Sequence, residues 1–275
     1  MDILVINLDS QPDRLEHFAG QMAAFGLAYT RIVAADGRTL SPDTIARGRA
    51  FDPEFYPLNQ GEIACFLSHR AAWKHFLDTS QHGHCCVFED DIHFSADAKP
   101  FLESGAWFPA IADIVKLETV RQPTRLEDEV AAVFAGRSIR RLHTVHTGTG
   151  AYALTRATAR LLLDNTERFA DAVDQVMFNP ALRSKAAGGR YAALSSLSVF
   201  QVEDAVAIQD SILAKISSSD AGMGSMLRTE RRAHKRKLTK LLTEIQRPFR
   251  KLALSLKRRV SNAVSDKSWR KVAFR

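Results

Sequence analysis

Several residue types are scarce in this sequence, and each shortage removes a class of protein. There are three cysteines among 275 residues, Cys65, Cys85 and Cys86. Their number is odd, and the adjacent pair would face opposite sides of a strand, so neither a disulfide framework nor a zinc quartet is indicated. They read as small core residues. No apolar run approaches the roughly 20 residues that a membrane-spanning helix needs. The opening DILVINL is too short and too acidic for a secretory signal, which points to the cytoplasm. No internal repeat is visible. What the chain does have is 45% hydrophobic residues and 16 Phe, enough for one large core or one domain with an appendage.

Negative charge is scarce at one end. Residues 228–275 carry 17 Lys and Arg against 3 acids, leaving 21 and 28 for residues 1–227. The net charge of +7 therefore averages an acidic body and a basic tail. We divide the chain into a body, 1–220, and a tail, 221–275. The tail contains two helical patterns separated at Pro248, LRTERRAHKRKLTKLLTEIQR and PFRKLALSLKRRVSNAV. Basic amphipathic helices of this kind suit an anionic membrane surface, each Lys or Arg contributing about 1 kcal/mol near the headgroups. Nucleic acid is not expected as a partner, because the tail has no recognised binding motif and the body is acidic. A solvated helix is the plainer alternative.

The body alternates strand and helix patterns. DILVINL (2–8) predicts a buried strand, and PDRLEHFAGQMAAFG (12–26) a helix with Pro at its start and Gly at its end. LAYTRIV (27–33) predicts the next strand, followed by the turn residues AADGR. Residues 60–80 form a strong helical pattern. At about 100° per residue, Cys65, Phe66, Ala72, Trp73, Phe76 and Leu77 share one arc, with Ser68, Lys74, His75 and Asp78 opposite. Glu62 and His69 fall within the apolar arc, so they should point toward a sheet or a cleft at its edge. A core histidine bonded to a carbonyl is the simpler reading of His69. HCCVF (84–88), IVKLE (114–118), GAYALT (150–155) and a segment within 190–202 predict further strands, and FADAVDQVM (169–177) a short helix. The class is α/β.

HCCVF runs into Glu89, Asp90 and Asp91. In open α/β sheets ligands sit at the carboxyl ends of strands. Three adjacent carboxylates repel one another, and a divalent cation or basic partners would relieve that repulsion. Mg²⁺ and Mn²⁺ take hard oxygen ligands, and the offset from Glu89 to Asp91 lets two side chains converge. A solvated acidic turn explains the triplet equally simply.

Taken together, VINLDSQPDR (5–14), AADGR (34–38), LNQGEIACFLSHRAAW (58–73), VFEDDI (87–92), IVKLE and HTGTGAYALTRATARLLL (146–163) resemble glycosyltransferase family 25 over roughly residues 1–215. The resemblance implies a GT-A-like, Rossmann-type mixed sheet flanked by helices, with the basic helical extension after it. It implies a UDP-sugar donor, galactose or glucose, inversion at the anomeric carbon, and a glycolipid or oligosaccharide acceptor of the bacterial envelope. It also implies Mn²⁺ or Mg²⁺ on Asp91, assisted by Glu89 or Asp90, to stabilise the departing diphosphate. The common Asp-x-Asp signature is here Glu-Asp-Asp, so the pair of ligands stays open. Donor-binding candidates are Asn7 and Arg14 beyond the first strand, Asp36 and Gly37 beyond the second, Glu62, Ser68 and His69 of the helix motif, and Lys116. Inversion needs a general base. Asp171 and Asp174 share a helix face, and Asp174 suits the family's acidic position better. Catalytic roles are thus expected of Asp174 and Asp91. An acceptor glycolipid would place the enzyme peripherally on the inner face of the cytoplasmic membrane. A metal-dependent phosphohydrolase and a noncatalytic membrane-associated scaffold remain alternative readings.

Overall fold

The computed structural model describes residues 1–184, 189–217 and 265–275. The first strand, β1 (Asp2–Asn7), leads into α1 (Pro12–Phe25). Pro12 opens this helix, and Gly26 closes it in the left-handed region at φ 66°, its amide donating to Ala23 at 3.0 Å. Because the cap extends through Leu27, β2 spans Thr30–Val33 rather than starting at 27. A 3₁₀ turn at Gly37–Thr39 and α2 (Pro42–Arg47) precede α3 (Gln60–Thr79).

The chain continues through β3 (His84–Glu89), β4 (Ile92–Phe94), α4 (Lys99–Glu103) and β5 (Ile114–Lys116). A region of short strands follows: β6 (Pro123–Glu127), β7 (Ala132–Phe134) and β8 (Arg137–Arg141). Then come β9 (Ala151–Thr155), α5 (Arg156–Asn165), α6 (Val173–Phe178) and α7 (Pro180–Ser184). Finally, β10 (Val199–Val202), β11 (Ala207–Gln209), α8 (Asp210–Ser217) and β12 (Lys267–Lys271) complete the described chain.

Eight strands form one mixed sheet in the order β2-β1-β3-β9-β5-β10-β8-β7. β1 is parallel to both β2 and β3, whereas β9 runs antiparallel between β3 and β5. Alternation along each strand divides the core between the two faces. Leu4, Cys85, Val87 and Tyr152 face α3, α5 and α6 in one cluster. Ile3, Val5, Cys86 and Phe88 face α1 and α4 in the other. A mixed sheet with helices on both faces is the architecture that the resemblance implied.

The two helical patterns expected at 227–264 lie outside the described residues. The last part of the chain is not helical. β12 pairs antiparallel with β6, Trp269 opposite Arg125, and the carbonyl of Val272 accepts from Thr119 Oγ1 at 2.8 Å. The edge of β6 offers unpaired backbone groups, and a segment carrying Trp269 and Val272 is suited to satisfy them.

Candidate active site

The carboxyl ends of β1, β3 and β5 converge with the start of β9 and the end of β11. Glu89 is the last residue of β3 and Asp91 lies two beyond it. Their side chains meet at Gln209, whose Nε2 donates to Glu89 Oε2 at 3.0 Å and reaches Asp91 Oδ1 at 3.5 Å. Asp91 is buried, and the loss of water together with the neighbouring Glu89 pushes its carboxyl up to about 7. Burial also acts to raise Glu89, but the His69 imidazole 3.5 Å away and the Thr149 hydroxyl outweigh it and hold this carboxyl below its usual value. The Thr149 hydroxyl donates to Glu89 Oε1 at 2.7 Å.

Asp90 turns the other way. Its Oδ2 accepts from Asn7 Nδ2 at 2.7 Å, and its Oδ1 pairs with Arg14 at 3.3 Å. Asn7 in turn accepts from Arg31 Nε at 2.9 Å. The structure therefore brings Glu89 and Asp91 together and sends Asp90 to the β1 loop, where it aims Arg14.

Lys116 ends β5 fully buried. Its ammonium donates to Glu118 Oε1 at 2.7 Å and to the Gly148 carbonyl at 2.5 Å, and lies 4.2 Å from the centre of the Phe178 ring. Glu118 is itself fully buried, and burial raises its carboxyl despite Lys116. Gly150 is required beside it. A Cβ there would come within 2.7 Å of Glu118 Oε2. Asp174, near the start of α6, accepts from the Gly148 amide at 2.9 Å, so Lys116 and Asp174 hold the two sides of the same glycine. His146, one turn of chain earlier, is buried near Lys116; burial first and that ammonium second keep its imidazole well below the ordinary value, hence neutral.

His69 sits at the centre of the α3 face, completely buried. Its Nδ1 is 2.9 Å from the Tyr152 hydroxyl, which also accepts from Trp73 Nε1 at 2.8 Å. Its Nε2 lies 3.5 Å from Glu89 Oε1. The simple expectation of a carbonyl-bonded core histidine is replaced by a side-chain chain that ends on the acidic strand terminus.

Other candidates have structural partners of their own. Glu62 is the third residue of a capping box: Asn59 Oδ1 accepts the Glu62 amide at 2.8 Å, and Glu62 Oε2 accepts the Asn59 amide at 3.1 Å. Tyr56 adds a hydrogen bond to Glu62 Oε1 at 3.2 Å. Ser68 was expected opposite the apolar arc, yet it is buried, because the loop after β2 packs over that side and the Ala35 amide donates to its hydroxyl at 2.9 Å. Asp36 caps the 3₁₀ turn and pairs with Arg38, whose hydrogen bonds lower its carboxyl to about 2. Gly37 allows close approach, as supposed, but the backbone it meets is that of α3: a Cβ would lie 3.0 Å from Gln60 and Gly61 atoms. Asp171 is held by Arg190 at 3.2 Å and by the Glu54 amide at 2.8 Å, leaving Asp174 as the member of the pair that faces the glycine loop.

Glu118, Thr149, Gln209 and Tyr152 were missed as site residues. Glu118 carried a readable signal, an acid closing the strand pattern IVKLE. Gln209 carried none, since it arrives from more than a hundred residues away.

Glu89 and Asp91 both reach Gln209 Nε2, and carboxylate oxygens of this kind are what a hard divalent cation takes. The family model described as glycosyltransferase family 25 (LPS biosynthesis protein) matches residues 1–177. The chain is 28% identical to the lacto-N-neotetraose biosynthesis glycosyltransferase LgtE of Neisseria meningitidis serogroup B, covering 93% of this chain and 91% of that protein. It is 27% identical to LgtB of Neisseria gonorrhoeae, over 84% and 82% respectively. The lipooligosaccharide biosynthesis protein lex-1 of Haemophilus influenzae is 26% identical, over 78% and 67%. With nearly two thirds of its length matched by the family model and the site's residues inside that span or packed against it, the chain belongs to glycosyltransferase family 25.

Proposed function

We propose that this glycosyltransferase transfers galactose or glucose from a UDP-sugar, with inversion, to the sugar chain of lipooligosaccharide or lipopolysaccharide. The family description and the relatives' names support the class of acceptor. The observation that carries the reading is the pairing of Glu89 with a buried Asp91 at the carboxyl end of β3, while Asp90 is already occupied by Asn7 and Arg14. Glu89 and Asp91 would hold Mn²⁺ or Mg²⁺. Such a cation, when bound, offsets the charge that collects on a departing diphosphate.

The protein groups then divide the work. Arg14, aimed by Asp90, offers its guanidinium to phosphate oxygens. Lys116 fixes the Gly148 carbonyl and neutralises Glu118, which keeps the glycine loop in place beside the acids. Asp174 takes the acceptor hydroxyl's proton as general base. The loop at Asp36 and Gly37 receives the nucleoside, with Ser68 tying that loop to α3, and Glu62 stabilises the start of the helix that delivers His69.

None of the described helices is long and apolar enough to cross a membrane. The basic patterns at 227–264 support attachment to an anionic surface from one side, the inner face of the cytoplasmic membrane, where a lipid-linked acceptor would be met. A thermal-shift series with uridine nucleotide sugars tests the core of this reading. The melting temperature should rise with donor plus Mn²⁺ more than with either alone, and Asp91→Ala should remove the metal-dependent part. A shift that persists unchanged in Asp91→Ala would reject the ligand assignment.

A further inference from the structure

Cys65, His69 and Glu89 offer three metal-binding atoms that all lie within 4.8 Å of one another. We propose that they form a site for a borderline-soft divalent cation of the zinc class, separate in chemistry from the hard-cation pair Glu89 and Asp91. Zinc bonds of about 2.0–2.3 Å at tetrahedral angles place neighbouring ligand atoms roughly 3.4–3.7 Å apart. Glu89 Oε1 and His69 Nε2 stand at 3.5 Å. That spacing is long for a hydrogen bond and right for two ligands of one ion.

The local chemistry also prepares the site. His69 Nε2 is buried and has no hydrogen-bond partner within normal distance, an orphan aimed at Glu89. Its other nitrogen faces the Tyr152 hydroxyl at 2.9 Å, and a second-nitrogen partner of this kind fixes the ring for metal binding. Trp73 holds Tyr152 in turn at 2.8 Å. Cys65 and His69 are one helical turn apart on α3, so their side chains project from one face. The Thr149 hydroxyl donates to Glu89 Oε1 at 2.7 Å and steadies the third ligand. Cys65 is half-buried and a quarter of the Glu89 side chain is exposed, which provides an access route and leaves the fourth position for water. Cys85 and Cys86 have neither exposure nor such neighbours.

On binding, the Cys65 thiol gives its proton to solvent and forms the metal–sulfur bond; the imidazole binds through Nε2 and keeps a proton on Nδ1, facing Tyr152. No electron transfer is involved. Glu89 belongs to both sets, so a thiolate-bound cation withdraws it from Asp91. This consequence alone rests on the proposed donor-cation role, and it makes zinc an antagonist of manganese.

Co²⁺ reports the site directly, because thiolate ligation gives a near-ultraviolet charge-transfer band that oxygen ligands do not. Titration of the full chain, without donor, should produce this band at one equivalent, and Zn²⁺ should abolish it. Cys65→Ser should lose the band while its circular dichroism and melting remain those of the parent. Tyr152→Phe should weaken Co²⁺ binding about 10- to 100-fold. Asp91→Asn should retain the band even though it loses Mn²⁺-dependent donor binding, which separates the two sites. Absence of the band in the parent chain, or its survival in Cys65→Ser, overturns the proposal.

Discussion

Asp90 and Asp91 are consecutive and chemically identical, yet they belong to two electrostatic regions. On the β1 side, burial raises the Asp90 carboxyl, and an amide and a guanidinium, Asn7 and Arg14, act against that rise. On the other side, Asp91 is buried beside Glu89, and the loss of water first and that carboxylate second drive its carboxyl up to about 7. The two residues form the turn between β3 and β4, and that turn sends their side chains to different neighbours. The same triplet thus supplies both an anchor for Arg14 and a buried carboxyl beside Glu89.

The largest disturbance should come from Lys116→Met. It leaves Glu118 buried without its ammonium, and breaking a buried ion pair by removing one partner costs about 3–5 kcal/mol. Chemical denaturation would register it; a loss below about 1 kcal/mol would mean that the acid-rich side does not depend on this lysine. Next is the contrast at the triplet itself. Asp91→Asn should lower transferase turnover about 10²–10³-fold, as expected for removing electrostatic stabilisation of a leaving group, whereas Asp90→Asn should keep Mn²⁺-dependent donor binding. Equal losses of that binding in both variants would erase the distinction between the two regions.

Gly150→Ala should come third, at about 1–3 kcal/mol, since the new methyl meets Glu118 Oε2 at 2.7 Å and the Gln209 side chain at 2.9 Å. Its effect is read as a fall in melting temperature. Arg14→Ala should weaken UDP-sugar binding about tenfold, close to one charge-assisted hydrogen bond, measurable by calorimetry.

The smallest effect is a pH dependence of the cation-free protein. An unfolded Asp91 releases its proton near pH 4, whereas the folded one keeps it to about pH 7. The folded state therefore binds the extra proton between these limits. Asp91's contribution is fully present below the unfolded value and is lost as pH rises through about 7. Asp91→Asn should shrink the drop in melting temperature between pH 6 and pH 8, by a few degrees, and Mn²⁺ should do the same in the parent.

Much of the fold was readable. Hydrophobic period placed β1, α1, α3, β3 and β9 because each buries a regular apolar face. Some short strands were not readable: β7 and β11 have three residues each, too few for a period to emerge, whereas the equally short β5 was marked by the apolar start of IVKLE. The inward direction of Glu62 and His69 followed from helical angles, but the role of Glu62 did not, although Asn59 three residues earlier marks a capping box. Ser68 was placed on the outer face because helical angles carry no information about a covering loop.

Local sequence alone specified the acidic strand end, the histidine turned inward on α3, and the uneven charge of body and tail, since these depend on neighbours within a few bonds or one helical turn. Which carboxylate meets Asn7 and Arg14 and which is buried beside Glu89 was settled by folding. Asn7, Lys116, Gly148 and Gln209 come from distant parts of the chain, and a carboxyl's charge state answers to the water and charges within a few ångströms, whatever their distance along the sequence.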